Sequence, residues 1–196
     1  MTANAEKHAD NPEFQRDMME TVTLSVQKMK LMLQKLSRTA SPERAVPQDL
    51  GQLLAQAVVL KAAFEPKPTL QLAEAGLKVL AEGERLERVL GHLIQNAIEA
   101  TPRDGKVCVR LARDGERVLV EVADTGSGMS EDFIRERLFK PFDSTKSAGM
   151  GIGAFESREY IHQLGGTLQV RSVPEQGTTF TVSLPLYRQQ TIEQAA

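Results

Sequence analysis

Residues Asp124–Gly153 constrain the fold more than any other stretch of this chain. They hold two glycine clusters, Gly126-Ser-Gly128 and Gly149-Met-Gly151-Ile-Gly153, with Phe139-Lys-Pro-Phe142 and Ser144-Thr145-Lys146 between them. A run so rich in glycine brings little apolar surface, so the core has to come from the segments on either side. What glycine does bring is access to positive φ and close approach of a ligand to bare backbone N–H groups. The pattern reads as a nucleotide pocket with a movable cover.

The flanking segments carry clear periodicity. Residues 83–100 place Leu86, Leu90, Leu93, Ile94, Ala97 and Ile98 on one helical face. His92, Asn96 and Glu99 share another face at i, i+4 and i+7. Asn is a poor helix-interior residue. Asn96 in mid-helix is therefore either a ligand or an amide bridging to a backbone group. Strands over Lys106–Ala112 and Arg117–Ala123, joined at Asp114-Gly115-Glu116, form a hairpin that delivers Asp124 to a strand end. Ser130 caps a short helix to Leu138, and residues 152–164 form a helix closed by Gly165-Gly166. Strands Thr167–Ser172 and Thr178–Leu184 follow, and the tail from Tyr187 is expected to fray.

Upstream, Asp49 caps a helix over 50–63, and short strands lie near Thr69–Leu72 and Leu77–Leu80. Residues 13–38 read as one long helix that starts at Asn11-Pro12. Val22, Val26, Met29, Leu33 and Leu36 make its a/d seam, widened by Leu24, Leu31 and Met32. Such a surface fits a four-helix bundle or, alternatively, packing on its own domain. Antiparallel strands with segregated helices imply an α+β fold, one mixed sheet covered on one face by helices.

A chain of 196 residues suits one full domain plus an appendage. Its net charge of −2 gives no electrostatic case for nucleic acid. One cysteine, Cys108, excludes disulfides and cysteine-rich metal sites. No apolar run reaches the length of a membrane span, and residues 1–10 are too polar for a signal peptide, so a cytoplasmic location without direct membrane contact is expected.

The residue chemistry supports the pocket. Asp124 is an acceptor-only carboxylate that can take an exocyclic N–H of adenine and rejects guanine, which presents an acceptor there. Gly126 and Gly128 let the backbone approach the ring. The Gly149–Gly153 cluster opens a helix whose N-terminal amides suit phosphate. Lys146 adds a cation, and the Asn96 amide oxygen is a hard ligand of the kind Mg²⁺ takes. A P-loop is absent, and Gly149-x-Gly151-x-Gly153 has neither the spacing nor the preceding strand of a dinucleotide fingerprint.

Four ordered motifs carry a resemblance. His92-Leu-Ile-Gln-Asn96-Ala-Ile-Glu-Ala100 resembles the N box of sensor histidine kinases, and Asp124-Thr-Gly-Ser-Gly128-Met129 the first glycine box. Phe139-Lys-Pro-Phe142 resembles the F box, and Gly149-Met150-Gly151-Ile152-Gly153 the second glycine box. The match spans roughly residues 48–186 and extends to the wider family with gyrase, Hsp90 and MutL ATPases. It implies a two-layer α/β sandwich, the Bergerat ATP-binding fold, preceded by a long bundle-forming helix. It implies ATP and Mg²⁺ as cofactors, Asn96 as metal ligand, and Asp124, Gly126, Gly128 and Met129 around the adenine, with Thr178 or Thr179 at its edge. Phe142, Thr145, Lys146, Gly149, Met150, Gly151, Ile152 and Gly153 would belong to the cover and phosphate site, with residues 143–150 as a short lid. Lys146 and His92 join Asn96 as candidate catalytic residues. The lid length resembles nitrogen-regulatory kinases, and Phe142-Asp-Ser-Thr-Lys146 with Gly153-Ala-Phe155 looks closest to kinases linked to PEP-CTERM/exosortase systems.

The resemblance divides the chain into 1–40, the second helix of a dimerisation hairpin; 41–48, a linker; 49–187, the catalytic domain; and 188–196, a flexible tail. It implies γ-phosphoryl transfer from Mg-ATP to a histidine, then to a cognate response regulator. It also implies a homodimer in the intact kinase, and a cytoplasmic portion of a membrane-bound sensor. His8 would fall between the hairpin helices, so the expectation is a chain that binds ATP but does not label itself. Two departures stand out. Glu99 occupies a position where many kinases carry Lys or Arg, so positive charge would come from Lys146, Lys140 or Arg103. His92 occupies the place of the gyrase-type general-base Glu, which disfavours ATP hydrolysis; it could orient Asn96, polarise a metal-bound water or be purely structural. Alternatives are a non-catalytic adenine-nucleotide switch, an anti-sigma-type protein kinase, or an ATP-gated clamp of the gyrase/MutL kind.

Overall fold

The computed structural model of the chain describes residues 11–37, 44–141 and 151–188. It divides into two compact units, Met1–Glu43 and Arg44–Ala196. His8 lies outside the described residues.

The first unit is helix α1 (Pro12–Ser37). Pro at the first helical position and Asn before it are a physical start signal: the N–H that Pro lacks would have no intrahelical acceptor there, and the Asn oxygen satisfies a free donor. Here Asn11 Oδ1 accepts from Glu13 N at 3.0 Å, and Asn11 O accepts from Gln15 N at 3.0 Å. Along the seam, Met18, Val22, Val26 and Met29 are exposed within this chain.

The second unit runs β1 (Val46–Asp49), α2 (Leu50–Leu60), β2 (Pro68–Leu72), β3 (Lys78–Ala81), α3 (Gly83–Ala100), β4 (Val107–Asp114) and β5 (Arg117–Asp124). It continues with α4 (Glu131–Glu136), α5 (Gly153–Gln163), β6 (Thr167–Val173) and β7 (Gly177–Pro185). Five strands form one sheet in the order β2-β4-β5-β7-β6; β2 and β4 are parallel and every other pair is antiparallel. The sheet is therefore mixed, as antiparallel strands with segregated helices implied. On β5, Val118, Val120 and Val122 point into the core, and Phe180, Val182 and Leu184 on β7 share that face. Leu86, Leu90, Leu93, Ile94 and Ala97 of α3 complete the core with Leu50 and Leu54 of α2 and Tyr160 and Ile161 of α5. Each fully buried aliphatic side chain contributes about 1.5–3 kcal/mol of burial free energy. The opposite face carries Arg110, Glu121, Thr179 and Thr181, the polar half of the same alternation.

Beyond shifts of one or two residues at strand ends, four differences from the sequence reading bear on the fold. Val46–Asp49, which overlaps the end of the expected linker, is a strand; it pairs antiparallel with β3 in a separate two-stranded sheet, so β3 does not join the main sheet. Helix α2 stops at Leu60, before the predicted end at residue 63. Helix α4 stops at Glu136, with the Arg137 and Leu138 N–H groups both turned to Phe133 O. The tail is not loose from Tyr187: Tyr187 N donates to Lys78 O at 2.7 Å, and Arg188 pairs with Glu116. The caps at Asp49 and Ser130 form as expected, accepting from Gln52 N at 3.1 Å and Phe133 N at 3.2 Å.

Tyr160 fastens α5 to the start of α3. Its hydroxyl accepts from Glu82 N at 2.9 Å and donates to Glu82 O at 3.2 Å, and the Arg85 guanidinium stacks 3.9 Å from the ring centroid. Glu82 O also accepts from Leu86 N, so removing the hydroxyl orphans chiefly the Glu82 N–H. Tyr160→Phe is expected to lower stability by about 1–2 kcal/mol, measured by urea unfolding, with the fold retained.

Candidate functional site

Asp124, the last residue of β5, is directly opposed by Thr178 on β7, and Thr178 is directly opposed by Ser172 on β6. Opposed residues on paired strands project from the same face. Three polar side chains therefore form a row across three strands on the core side of the sheet. Asp124 is 8% exposed and Thr178 6%.

Asp124 Oδ1 accepts from Gly126 N at 2.8 Å and from Thr178 N at 3.2 Å. Among the described residues its second oxygen takes no hydrogen bond. Burial pushes the carboxyl above its ordinary pKa, and the N–H bonds from Gly126 and Thr178 pull it back only in part. An acceptor-only oxygen remains at the pocket wall, where a base edge with an N–H donor can satisfy it.

The glycine loop is fastened on both sides. Ser127 N donates to Ala100 O at 3.0 Å, and Glu175 N donates to Ser127 O at 2.8 Å. A Cβ on Gly126 would land on the Ala100 carbonyl, and Gly128 has φ 64°, so each position needs glycine for its own reason. Met129 N donates to Ser172 Oγ at 2.8 Å. The loop thus joins the end of α3 to the β6–β7 turn.

One turn back along α3, about 6 Å from Ala100, lies Asn96. Its Nδ2 sits 3.2 Å from His92 Nε2 and 3.4 Å from His92 Nδ1. The Asn96 amide oxygen is a hard donor of the kind Mg²⁺ takes. A Cβ on Gly153 would collide with the His92 ring, so the start of α5 seats directly on this stripe. Glu99 accepts from Gln95 Nε2 at 2.7 Å. The first N–H groups of α5 have no intrahelical acceptor and suit an anion.

Asp124, Gly126, Gly128, Met129 and Thr178 therefore come together at the end of the sheet. His92, Asn96 and Gly153 meet on the face of α3, with Gly151 and Ile152 leading into α5. Thr179 does not join them: it pairs with Ala123 and points to the opposite face. Phe142, Thr145, Lys146, Gly149 and Met150 lie outside the described residues. Phe139 packs half-buried against the core with the Arg158 guanidinium 4.5 Å from its ring centroid. Ser172 was missed by the sequence reading; a serine in an alternating strand carries no signal until register places it opposite Thr178.

The sheet, its helical layer and the glycine-flanked carboxylate define an ATP-binding domain of the two-layer α/β kind. Residues 81–188, more than half of the chain, match the model of the histidine kinase-, DNA gyrase B- and HSP90-like ATPases, and the chain belongs to that family. It is 43% identical over 117 residues to the C4-dicarboxylate transport sensor protein DctB of Rhizobium meliloti (strain 1021), covering 59% of this chain and 18% of that protein. It is 38% identical over 118 residues to the sensor histidine kinase ZraS of Klebsiella oxytoca, covering 60% of this chain and 25% of that protein. The chain thus spans a quarter or less of these two relatives. Among solved structures it superposes on the catalytic domain of histidine kinase ThkA with a TM-score of 0.64 and 28% identity, covering 72% of this chain and 95% of that one.

The raised Asp124 pKa has two consequences of opposite sign. Protonation is easier in the folded than in the unfolded chain, so this group's contribution to stability is fullest below its ordinary pKa and is lost as pH rises through the raised value. Accepting an N–H from a base needs the ionised form and would be lost as pH falls through the same value. Asp124→Asn keeps an oxygen for the Gly126 and Thr178 N–H groups but turns a donor toward the pocket. At pH 7 it is expected to unfold at an equal or higher urea concentration than the parent, while ADP affinity by calorimetry falls about 10–100-fold.

Proposed function

We propose that this chain is the catalytic ATP-binding part of a two-component sensor histidine kinase. It would move the γ-phosphoryl of Mg-ATP to a histidine on a separate helix, for onward transfer to an aspartate of a response regulator. The observation that carries the reading is Asp124: a buried carboxylate with one oxygen held by two backbone N–H groups and the other left as an acceptor at a glycine loop. The relatives named above are a sensor histidine kinase and a transport sensor protein, which supports the kinase over a clamp of the gyrase kind. Histidine kinase ThkA has been solved in complex with a response regulator, and this chain shares its fold at a TM-score of 0.61. That makes a response regulator the natural acceptor partner.

In this reading Asp124 and Thr178 orient the base, and the amides at the start of α5 hold phosphate oxygens. Among the described residues no cluster of three or more His, Cys, Asp or Glu side chains could hold a metal ion. Mg²⁺ takes one or two protein ligands and completes its shell with phosphate oxygens and water. Asn96 would hold it, and the ion would neutralise charge on the transferred group. Positioning then does most of the work, since phosphoryl transfer asks little covalent chemistry of the protein. Lys146 would add a cation beside the phosphates.

The exposed seam of α1 fits a dimerisation bundle, with a homodimer as the working state of the intact kinase. No helix of the described residues is long and apolar enough to cross a membrane. In the proposed arrangement the chain is the cytoplasmic portion of a membrane-bound sensor.

Incubating the chain with labelled ATP, with and without a separate helical hairpin bearing a phosphoacceptor histidine, tests the proposal. Label is expected on the hairpin as acid-labile, base-stable phosphate and not on this chain. Asn96→Ala is expected to lower transfer at least about 100-fold and to remove the Mg²⁺ dependence of ADP binding. Nucleotide binding without any transfer would leave the adenine-nucleotide switch as the better reading.

A further inference from the structure

Gly153 is the first residue of α5, and its φ does not lie in the left-handed region. Backbone conformation therefore does not demand glycine there. The demand is steric: the three atoms nearest to a Cβ at 153 are Nε2, Cε1 and Cδ2 of His92, at 2.1, 2.2 and 2.8 Å. The imidazole fills the place where a side chain would start. The same ring meets Asn96, whose Nδ2 lies 3.2 Å from Nε2 and 3.4 Å from Nδ1. An amide N–H donates, so a ring nitrogen accepts it. One imidazole thus stands between the proposed metal ligand and the helix start proposed to hold phosphate oxygens. Helix α5 does not depend on this ring for its place. Tyr160 and Ile161 are buried in the core, and the Tyr160 hydroxyl is bonded to both N and O of Glu82. The helix is the fixed wall, and the ring is the part that spans the gap to Asn96.

We propose that His92 is a positioning residue: wedged against Gly153, it holds the Asn96 side chain in register with the start of α5. A cation on Asn96 and phosphate oxygens on the α5 amides then meet. This rests on the nucleotide and Mg²⁺ reading above and deepens it. Three roles were open to His92 from its position: orienting Asn96, polarising a metal-bound water, or packing alone. The contacts favour the first. An asparagine side chain has several staggered rotamers, and a change of rotamer moves its amide by more than an ångström. A misplacement of about 1 Å in a positioning contact can cost about 100-fold. The ring removes that freedom by filling the space between the amide and a residue that has no side chain. Neither a proton transfer nor a charge on the imidazole enters. The histidine touches no phosphate in this account; its effect passes through Asn96, and Gly153 is its seat.

The test is a titration of the whole chain with ADP, with and without Mg²⁺, read by calorimetry, with urea unfolding midpoints as the check on folding. The quantity compared is the ratio of the two affinities. His92→Ala is expected to lower that ratio at least about fivefold, while the Mg²⁺-free affinity stays within about threefold of the parent. Gly153→Ala keeps the N–H and displaces the ring, and a similar drop is expected. With the ring already gone, Gly153→Ala is expected to move the ratio by less than about twofold in the His92→Ala background. In an Asn96→Ala background, His92→Ala is likewise expected to move it by less than about twofold, because the amide it acts through is absent. His92→Gln carries a polar group about as far as Nε2 and is expected to bring the ratio back to within about threefold of the parent. Should His92→Ala not fold, Gly153→Ala and His92→Gln give the same comparison. Equal weakening with and without Mg²⁺ would overturn the proposal and leave His92 a fastener of α5. So would an undiminished effect of His92→Ala in the Asn96→Ala background. A parent chain that binds ADP with no Mg²⁺ dependence would refute Asn96 as the metal ligand, and this proposal with it. A parent that binds no ADP would refute the nucleotide reading itself.

Discussion

The two backbone N–H bonds to one oxygen of Asp124 are the interaction on which the site depends. A carboxylate only 8% exposed loses most of its hydration, a cost of several kcal/mol for an unpartnered charge. Each N–H bond to a charged acceptor returns about 1.5–3 kcal/mol. The raised pKa shows that desolvation still outweighs them. The residue is thus kept where it destabilises the folded state, which is the mark of a group retained for what it binds rather than for what it holds together. The same bonds fix the first residues of the glycine loop and tie the end of β5 to β7, so the destabilised group is also the organiser of its surroundings.

What keeps this row in place is the apolar core. Val118, Val120 and Val122 alternate on β5 ahead of Asp124, and Phe180, Val182 and Leu184 alternate on β7 after Thr178. A slip of one residue in either strand would send every one of these side chains to the solvated face. The free energy of burying them therefore enforces the polar register at the sheet end. Asp124, Thr178 and Ser172 need no strong mutual attraction to find each other; the valines and the phenylalanine align them.

Much of this was legible in the sequence, for reasons particular to each element. Helix α3 was read at the bounds it adopts, because six apolar residues at helical spacing face away from a polar stripe. The hairpin β4–β5 announced itself by alternation around Gly115. Strand β1 did not: a stretch with two prolines, Pro42 and Pro47, read as linker, and only pairing with β3 makes Val46–Asp49 a strand. Thr178 and Thr179 could not be separated by composition, since adjacent strand residues differ only in face, and face follows from the pairing of β7 with β5. Ser172 carried no signal for the same reason. The glycine motifs, by contrast, located the loop well, because Gly126 and Gly128 meet steric demands that no other residue satisfies.

Helix α3 links the two halves of the site as one body. Its last carbonyl, Ala100 O, accepts from Ser127 in the glycine loop, while Asn96, one turn earlier, faces the side where α5 begins. A helix with Leu86, Leu90, Leu93 and Ile94 fully buried cannot slide along its axis without exposing that apolar surface. The spacing between Asn96 and the Gly126–Gly128 loop is therefore fixed by the helical rise, about 1.5 Å per residue, and not by the conformation of the glycine run. His92 seated on Gly153 extends the same constraint to the first turn of α5, since any side chain at 153 would displace the ring that faces Asn96. The glycine-rich stretch from Asp124 to Gly153 thus begins and ends on contacts with a single rigid helix. That places the Asp124 carboxylate and the start of α5 at a set separation.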